Sequence, residues 1–187
     1  MDKMSDLLEI SPIVAAVKDD EGLSHACRSD CNVVFILYGT IVDIGQIVAK
    51  VIDSGKVAIV HTDLVSGLSG KEIAIDFISQ NTKAQGIIST KPALIKRAKE
   101  LGLIGIQRSF IIDSIALTNL KKQIRQYEPD AIEILPGIMP RIITEIKNDT
   151  SIPLIAGGLL RDKKDIMAAL EAGADAISTT SLSLWEA

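Results

Sequence analysis

The sequence of 187 residues predicts a compact (β/α)8 barrel of the TIM type, formed as one domain over residues 1–187. Short apolar runs typical of buried parallel strands recur eight times, and segments with helical periodicity lie between them. Eight such units favour a closed barrel over an open flavodoxin-like sheet, which normally has about five or six strands. Because the chain is short for this fold, we expect short loops and shortened or irregular helices.

The apolar runs begin between 17 and 29 residues apart, which leaves room for one helix in each interval. They are PIVAAV from Pro12, VVFILY from Val33, VAIVHTDL from Val57, GIIST from Gly86, LIGIQ from Leu103, AIEIL from Ala131, PLIAGG from Pro153 and DAIST from Asp175. Helical spacing of apolar residues predicts the helices, for example at Ile44, Ile47, Val48 and Val51.

Composition narrows the class of protein. Apolar residues make up 47% of the chain, as buried parallel strands require. No apolar run approaches the roughly 18 residues of a membrane span, and the N-terminus lacks a secretory signal pattern. We therefore expect a cytoplasmic protein with no membrane partner. Cys27 and Cys31 lack the neighbouring ligands of a zinc site, so we expect two free thiols and no metal.

The stretch from Pro153 to Ser181 predicts a phosphate site. It runs from a strand through Gly157-Gly158 into a helix, then through a second strand into Thr179-Thr180. In many (β/α)8 barrels the loops after strands 7 and 8 bind phosphate through backbone amides. Glycines allow close approach of the backbone and hydroxyls add donors. The other interpretation is two tight turns of an α/β protein.

Polar side chains end most of the other predicted strands, at the face where barrels carry their sites. Lys18, Lys91 and Arg108 are cations there, and His61, Asp63 and Glu133 are candidate acid–base groups. Together they predict a small phosphorylated ligand, because charge-assisted hydrogen bonds to phosphate are strong. Each also has a structural reading: His61 as a hydrogen-bonded rim histidine, Asp63 as a turn cap, and Lys91 as the residue before a helix with Pro92 at its first position. Glu133 points either into the barrel or outward.

Two consecutive predicted helices carry most of the local positive charge. The chain has a formal net charge of −4, which disfavours non-specific nucleic-acid binding. Between Lys91 and Arg125, however, eight basic residues face two acidic ones. The helical cations are Lys96, Arg97, Lys99, Lys121, Lys122 and Arg125. They form either one candidate RNA surface or an ordinary solvated face.

Long strings of residues resemble the glycerol uptake operon antiterminator regulatory proteins, the GlpP family. They are PIVAAVKD, VVFILYG, VHTDLVSGLSGKEIAIDFI, GIISTKPALIKRAKELGL, IQRSFIIDS, IEILPGIMPRII and IAGGLLRDKKDIMAALEAGADAISTTS, spanning Pro12 to Trp185. Thr179 stands where many sugar-phosphate barrels have glycine, and the threonines there match the family's pattern.

The resemblance implies a regulator without catalytic residues or a cofactor. It implies that glycerol 3-phosphate is the effector and that leader mRNA of glycerol-catabolism genes is bound and stabilised. The phosphate would lie at Gly157, Gly158, Thr179 and Thr180, with charge from Lys18, Lys91 and Arg108. His61, Asp63 or Glu133 would hold the glycerol hydroxyls. A homo-oligomer remains open.

Two alternatives stay open. One is a barrel isomerase or aldolase acting on a small sugar phosphate, with Glu133 or His61 as base and Lys91 as electrophile. The other is a pure interaction protein whose barrel only scaffolds partner contacts. The ring of polar residues at the strand ends would look much the same in a barrel enzyme and in a sensor of a sugar phosphate.

Overall fold

Eight parallel strands close into a barrel in the computed structural model, which describes residues 4–186. Each strand pairs with the next in chain order, and the eighth pairs with the first. The strands are β1 Ile13–Val17, β2 Val33–Ile36, β3 Val57–His61, β4 Gly86–Ser89, β5 Ile104–Phe110, β6 Ala131–Leu135, β7 Leu154–Gly157 and β8 Ala176–Thr179. The predicted barrel is confirmed, and the open-sheet alternative is wrong because the β1–β8 ladder closes the sheet.

One helix lies in each of the seven intervals between strands, and a further helix precedes β1. They are α1 Met4–Ile10, α2 Asp20–Arg28, α3 Ile44–Asp53, α4 Ile73–Asn81, α5 Pro92–Glu100, α6 Ser114–Tyr127, α7 Pro140–Asp149 and α8 Lys163–Glu171. Asp19, Asp113 and Asp162 cap α2, α6 and α8 by accepting hydrogen bonds from first-turn amides. Short 3-10 helices follow β3 at Thr62–Leu64 and β8 at Leu182–Leu184. No helix within residues 4–186 combines the length and apolar character that a membrane crossing requires.

Helix α1 closes the N-terminal end of the barrel. Its residues Met4, Leu7 and Leu8 are buried and belong to the same apolar cluster as the barrel-interior residues Phe35 and Ile59. The sequence did not predict this helix, because seven residues hold too few turns for a helical period to stand out. The plug leaves the C-terminal end as the open end of the barrel.

The strands alternate between two apolar layers. Residues such as Ile59, Ile106 and Ile155 fill the interior, and the intervening residues pack between strands and helices. Successive side chains of a strand point in opposite directions. The residue two positions after an interior residue therefore also points into the barrel, nearer the C-terminal end of the strand. These positions are occupied by polar residues and a glycine: His61, Arg108, Glu133, Gly157 and Ser178.

Candidate functional site

A buried polar cluster occupies the C-terminal end of the barrel interior. Ser178 on β8 donates a hydrogen bond to Oε1 of Glu133 on β6 at 2.6 Å. On β5, Nε of Arg108 lies 3.4 Å from Oε2 of Glu133. Glu133 is 3% exposed, so its carboxyl group points into the barrel, which resolves the two orientations left open by the sequence.

Three buried polar atoms of this end of the barrel have no hydrogen-bond partner among the described residues. They are Nδ1 of His61, Nε of Arg108 and Oε2 of Glu133. The Arg108–Glu133 ion pair is close, but its atoms are not aligned for a hydrogen bond. Buried polar groups are nearly always hydrogen-bonded in folded proteins, so each exception calls for a partner such as a water molecule, an ion or a ligand. A donor, an acceptor and an imidazole nitrogen are therefore available to a polar ligand.

A cavity of about 200 Å³ opens above this cluster. It is lined by Ala16, Phe35, Leu37, Arg108, Glu133, Leu135, Gly158, Leu159, Leu160, Ser178, Thr179, Thr180 and Ser181. Its walls combine apolar strand residues with the loops after β7 and β8. The volume is small compared with the sites of drug-sized ligands, which fits a compact polar molecule.

Burial controls the protonation of the two acid–base groups. Burial raises the pKa of Glu133, and the opposing effects of Arg108 and Ser178 do not cancel that rise. Burial, together with the positive charge of Arg108, lowers the pKa of His61 to about 4, although Asp63 acts in the opposite direction. His61 is therefore neutral near pH 7, and its Nδ1 is able to donate or accept according to its tautomer.

Gly157 is required by the side chains around it. A Cβ at this position would lie 2.5 Å from Oγ of Ser178 and 2.8 Å from Oε1 of Glu133. The glycine therefore makes room for the Glu133–Ser178 hydrogen bond, and it does not line the cavity. The sequence suggested close approach of an anion as its role, so the geometry adds a different reason for the same residue.

The loop after β7 has an unusual backbone. Gly158 has a φ of 75°, and Leu159 follows with a φ of 61°. A left-handed conformation is uncommon for leucine, and such residues concentrate at functional sites. The Gly158 carbonyl accepts a hydrogen bond of 3.0 Å from the amide of Gly137, which joins this loop to the one after β6. Both Gly158 and Leu159 line the cavity.

The loop after β8 supplies the hydroxyls. Thr179 and Thr180 both line the cavity, and the Thr179 hydroxyl accepts a hydrogen bond of 3.1 Å from the Ser181 amide. Thr180 also lines a second depression of about 310 Å³ together with Lys18 and Trp185. Lys18 is exposed and lines this second depression, not the cavity above the cluster, and Thr180 belongs to both.

Asp63 and Lys91 lie apart from the buried cluster. Asp63 accepts hydrogen bonds from the Ser89 hydroxyl at 2.6 Å and from the amide and hydroxyl of Thr90 at 2.8 Å. Burial raises the pKa of Asp63, but these hydrogen bonds outweigh it and the net pKa is lowered. The ammonium of Lys91 packs so closely on Gly70 that a Cβ there would collide with it. Neither Asp63 nor Lys91 lines the cavity above the cluster.

The basic faces of α5 and α6 are adjacent but largely neutralised. Arg97 pairs with Asp76 at 2.5 Å and with Glu100 at 3.1 Å. Lys121 pairs with both Glu145 and Asp149 at 2.7 Å. The remaining cations are Lys96, which is 3.9 Å from Glu100, Lys99, which donates to the Glu128 carbonyl, and the exposed Lys122 and Arg125. This surface therefore offers less free positive charge than the sequence indicates.

No group of three His, Cys, Asp or Glu side chains within residues 4–186 is arranged to hold a metal ion. Cys27 and Cys31 are both free thiols, and burial raises the pKa of Cys31.

Sequence reasoning missed several residues of the site. Ser178 completes the buried cluster, and Leu159 forms the strained part of the cavity wall. Phe110, at the end of β5, stacks on the guanidinium of Arg108 with 5.3 Å between the ring centroid and Cζ. The inward period of β8 could have indicated Ser178, whereas nothing in the sequence indicates a positive φ at a leucine.

Comparisons with known proteins agree with this geometry. The chain is 45% identical over 179 residues to the uncharacterized protein YgcP of Escherichia coli, covering 96% of this chain and 94% of YgcP. The crystal structure of a glycerol uptake operon antiterminator regulatory protein from Listeria monocytogenes is similar, with a TM-score of 0.90 and 32% identity over 94% of this chain and 95% of that one. An antiterminator-related protein from Thermotoga maritima has a TM-score of 0.84 and 32% identity, covering 94% of this chain and 98% of that one.

The family model described as glycerol-3-phosphate responsive antiterminator matches residues 13–185, from the first residue of β1 to Trp185 beyond β8. That span includes every side chain of the buried cluster and both loops of the cavity. The chain belongs to the glycerol-3-phosphate responsive antiterminator family.

Proposed function

We propose that this protein binds glycerol 3-phosphate in the cavity at the barrel mouth and that the occupied form binds leader mRNA of glycerol-catabolism genes. The observation that carries the proposal is a set of unpartnered polar atoms: those of Arg108 and Glu133, which line a small cavity, and that of His61 at the same end of the barrel interior. Glycerol 3-phosphate has hydroxyls to satisfy such atoms and a phosphate for the loops, and family membership supports the choice of this ligand.

The two ends of the ligand have different partners in this proposal. The diol lies deep, where a hydroxyl donates to Oε2 of Glu133 and accepts from Nε of Arg108. The phosphate lies at the loops, near Gly158, Thr179 and Thr180, with Lys18 beside them.

The RNA step requires coupling between two sites. If glycerol 3-phosphate binds the RNA-competent state more tightly, RNA affinity rises by the same factor, typically about 5- to 150-fold. Stabilising a leader structure in this way would allow transcription to continue past a terminator. An mRNA partner also makes a cytoplasmic location part of the proposal.

Trp185 offers a direct test of ligand binding. Its indole is buried, donates a hydrogen bond of 2.8 Å to the Thr179 carbonyl and lines the depression next to Thr180. Because it is the only tryptophan of the chain, we expect its fluorescence to change on titration with glycerol 3-phosphate. Glycerol and inorganic phosphate, titrated separately and confirmed by calorimetry, should bind far more weakly. Equal affinity for phosphate alone would contradict the role given to the buried cluster.

The switch is tested by measuring affinity for fluorescently labelled leader RNA of the source organism's glycerol-uptake operon. We expect affinity to rise at least fivefold at saturating glycerol 3-phosphate. Glu133→Gln should reduce the ligand's affinity and shift this response to higher ligand concentration. RNA affinity that is independent of the ligand would contradict the switch.

A second candidate function draws on the same cluster. A buried carboxyl with a raised pKa and a neutral histidine, both at the same end of the barrel, are groups that enzymes use for proton transfer. A Schiff-base aldolase receives no support, because Lys91 packs on Gly70 away from the cavity. Incubation with triose phosphates in deuterated water, followed by NMR, tests an isomerase. Deuterium incorporation that is lost in Glu133→Gln would favour the enzyme over the sensor.

A further inference from the structure

Exposed apolar side chains concentrate on one face of the barrel. Of the twelve large apolar side chains that are exposed among the described residues, ten lie on the C-terminal face: Ile41, Val42, Leu64, Ile73, Phe110, Ile112, Ile115, Ile138, Leu159 and Leu182. The exceptions are Ile10 on α1 and Met167 on α8. A concentration of exposed apolar side chains on one face, unlike single scattered ones, is typical of an interaction site. The cavity therefore opens on the same face of the barrel that carries most of the exposed apolar side chains, where we expect a partner to bind.

One sector of this face combines apolar, aromatic and basic side chains. It lies over the neighbouring strands β5, β6 and β7, and we call it the β5–β7 rim. Its residues are Phe110, Ile112, Ile138, Leu159, Arg141, Arg161, Lys163 and Lys164. None of its four cations forms a salt bridge to any residue between 4 and 186.

The acidic residues near the rim are engaged with backbone amides. Asp113 and Asp162 cap α6 and α8, and Asp165 accepts a hydrogen bond of 2.8 Å from the Arg161 amide. Their charges are directed at helix N-termini, where the helix dipole stabilises them. These carboxylates form no salt bridge with the four rim cations, in contrast to the acidic partners of Arg97 and Lys121.

Phe110 gives the rim a stacking platform. Its side chain is 51% exposed, and every other aromatic side chain within residues 4–186 is buried or half-buried. Its ring already stacks on the Arg108 guanidinium, which holds it at a fixed place. Exposed aromatics flanked by cations are the usual means of holding single-stranded nucleic acid, because every base has a face to stack.

We propose that leader RNA contacts the β5–β7 rim, stacking a base on Phe110 while Arg141, Arg161, Lys163 and Lys164 contact its phosphates. This inference rests on the proposed function, and it differs from the surface on α5 and α6 that the sequence predicts. Arg108 connects the two sites directly, since it contacts Glu133 inside the cavity and Phe110 on the rim. Leu159 connects them as well, because it lines the cavity and is 59% exposed. A ligand that rearranges Arg108 thereby moves the platform on which the base stacks.

The test compares RNA affinity and glycerol 3-phosphate affinity in matched variants. Phe110→Leu keeps an apolar side chain and removes the aromatic face, so RNA affinity at saturating ligand should fall about tenfold. Arg161→Ala combined with Lys163→Ala should weaken RNA binding to a similar degree. The Arg161→Ala, Lys163→Ala variant should keep ligand affinity within about threefold, because neither side chain lines the cavity. Ile10→Ala and Lys83→Ala, exposed positions at the opposite end of the barrel, are the controls.

The outcomes separate this inference from the function on which it rests. Wild-type protein that fails to bind leader RNA at saturating glycerol 3-phosphate would overturn both. Wild-type binding that persists in the rim variants but weakens in Lys122→Ala with Arg125→Ala would overturn the rim alone and return the RNA to α5 and α6. Dimers that dissociate on Phe110→Leu, with RNA affinity unchanged, would assign the rim to self-association and equally overturn the inference.

Discussion

Gly157 shows how one residue without a side chain organises the site. The absent Cβ leaves the space in which Glu133 and Ser178 form their hydrogen bond. Glutamate on one strand and serine two strands away are thus held together across β7. Gly157 therefore shapes the buried cluster, although it does not line the cavity itself.

Gly157→Ala is therefore expected to disrupt the buried cluster. The added methyl displaces the Glu133–Ser178 pair, which should lower the free energy of unfolding by about 1–3 kcal/mol and reduce glycerol 3-phosphate affinity at least tenfold. Urea denaturation and calorimetry measure the two effects. Ser178→Ala is the matched variant, since it removes the hydrogen bond without a collision; leaving the buried Oε1 of Glu133 without its donor should cost about 1–3 kcal/mol. Unaltered ligand affinity in Gly157→Ala would contradict this account.

His61 predicts a pH dependence of stability. Its folded pKa of about 4 is below the ordinary 6.5, so the unfolded chain takes up a proton that the folded protein does not. Its contribution is complete above pH 6.5 and is lost as the pH falls toward 4, amounting to about 2 kcal/mol between pH 7 and pH 5. Arg108 and Asp63 are the charged groups that act on it.

The measurement is the free energy of unfolding at pH 7 and pH 5 in wild type and in His61→Asn. Glu133 contributes a slope of the opposite sign because its pKa is raised, so the difference between the two proteins isolates His61. We expect the variant to lose less stability on acidification than wild type. His25→Asn is the control, because that histidine is exposed. Identical pH profiles in wild type and His61→Asn would show that His61 has the same pKa in the folded and the unfolded chain, which would contradict the lowered pKa.

At the scale of elements, the two ends of the barrel have different tasks. Helix α1 closes the N-terminal end with apolar side chains, whereas the loops after the strands carry the polar site and its exposed rim. Stability and binding are therefore expected to respond separately to substitution at the two ends.

Leu8→Ala tests this separation. Leu8 is 1% exposed, so its truncation should lower the free energy of unfolding by about 2–5 kcal/mol. Glycerol 3-phosphate affinity of the folded variant should match wild type, because the cavity lies at the other end of the strands. Ile10→Ala, on the same helix and 72% exposed, should change stability by less than about 0.5 kcal/mol. A large loss of ligand affinity in Leu8→Ala would show that the ends are coupled.

For the whole molecule, charge limits how RNA binds. The net charge of −4 gives no general attraction to a polyanion, so binding depends on a few local cations. We assume that each of the four cations of the β5–β7 rim contacts one phosphate of single-stranded RNA. The slope of log affinity against log salt concentration should then be about −3 and no steeper. Arg161→Ala should make that slope shallower by about 0.7.

Binding measured at several salt concentrations, with glycerol 3-phosphate saturating, supplies the slope. A slope near −6 would require more cations than the rim holds and would extend the RNA onto Lys96, Lys99, Lys122 and Arg125. Sedimentation at the same salt concentrations determines the oligomeric state, which must be known to interpret the slope.

The sequence by itself determined the barrel. Eight apolar runs separated by amphipathic helices admit few arrangements, because parallel strands with helical crossovers must bury both faces of one sheet. It also predicted ten site residues at the strand ends, which converge on one face of a barrel. Five of the ten line one cavity: Arg108, Glu133, Gly158, Thr179 and Thr180.

Only the tertiary structure decided which of these side chains meet. Residues at strand ends face either the interior or a neighbouring loop according to register, so Glu133 and Ser178 form a pair while Lys91 turns to Gly70. The positive charge expected on α5 and α6 is reduced for the same reason. Arg97 and Lys121 form ion pairs with Asp76, Glu145 and Asp149, which are distant from them in the sequence. Pairings between side chains far apart in the chain depend on closure of the barrel, and one-dimensional periodicity does not contain them.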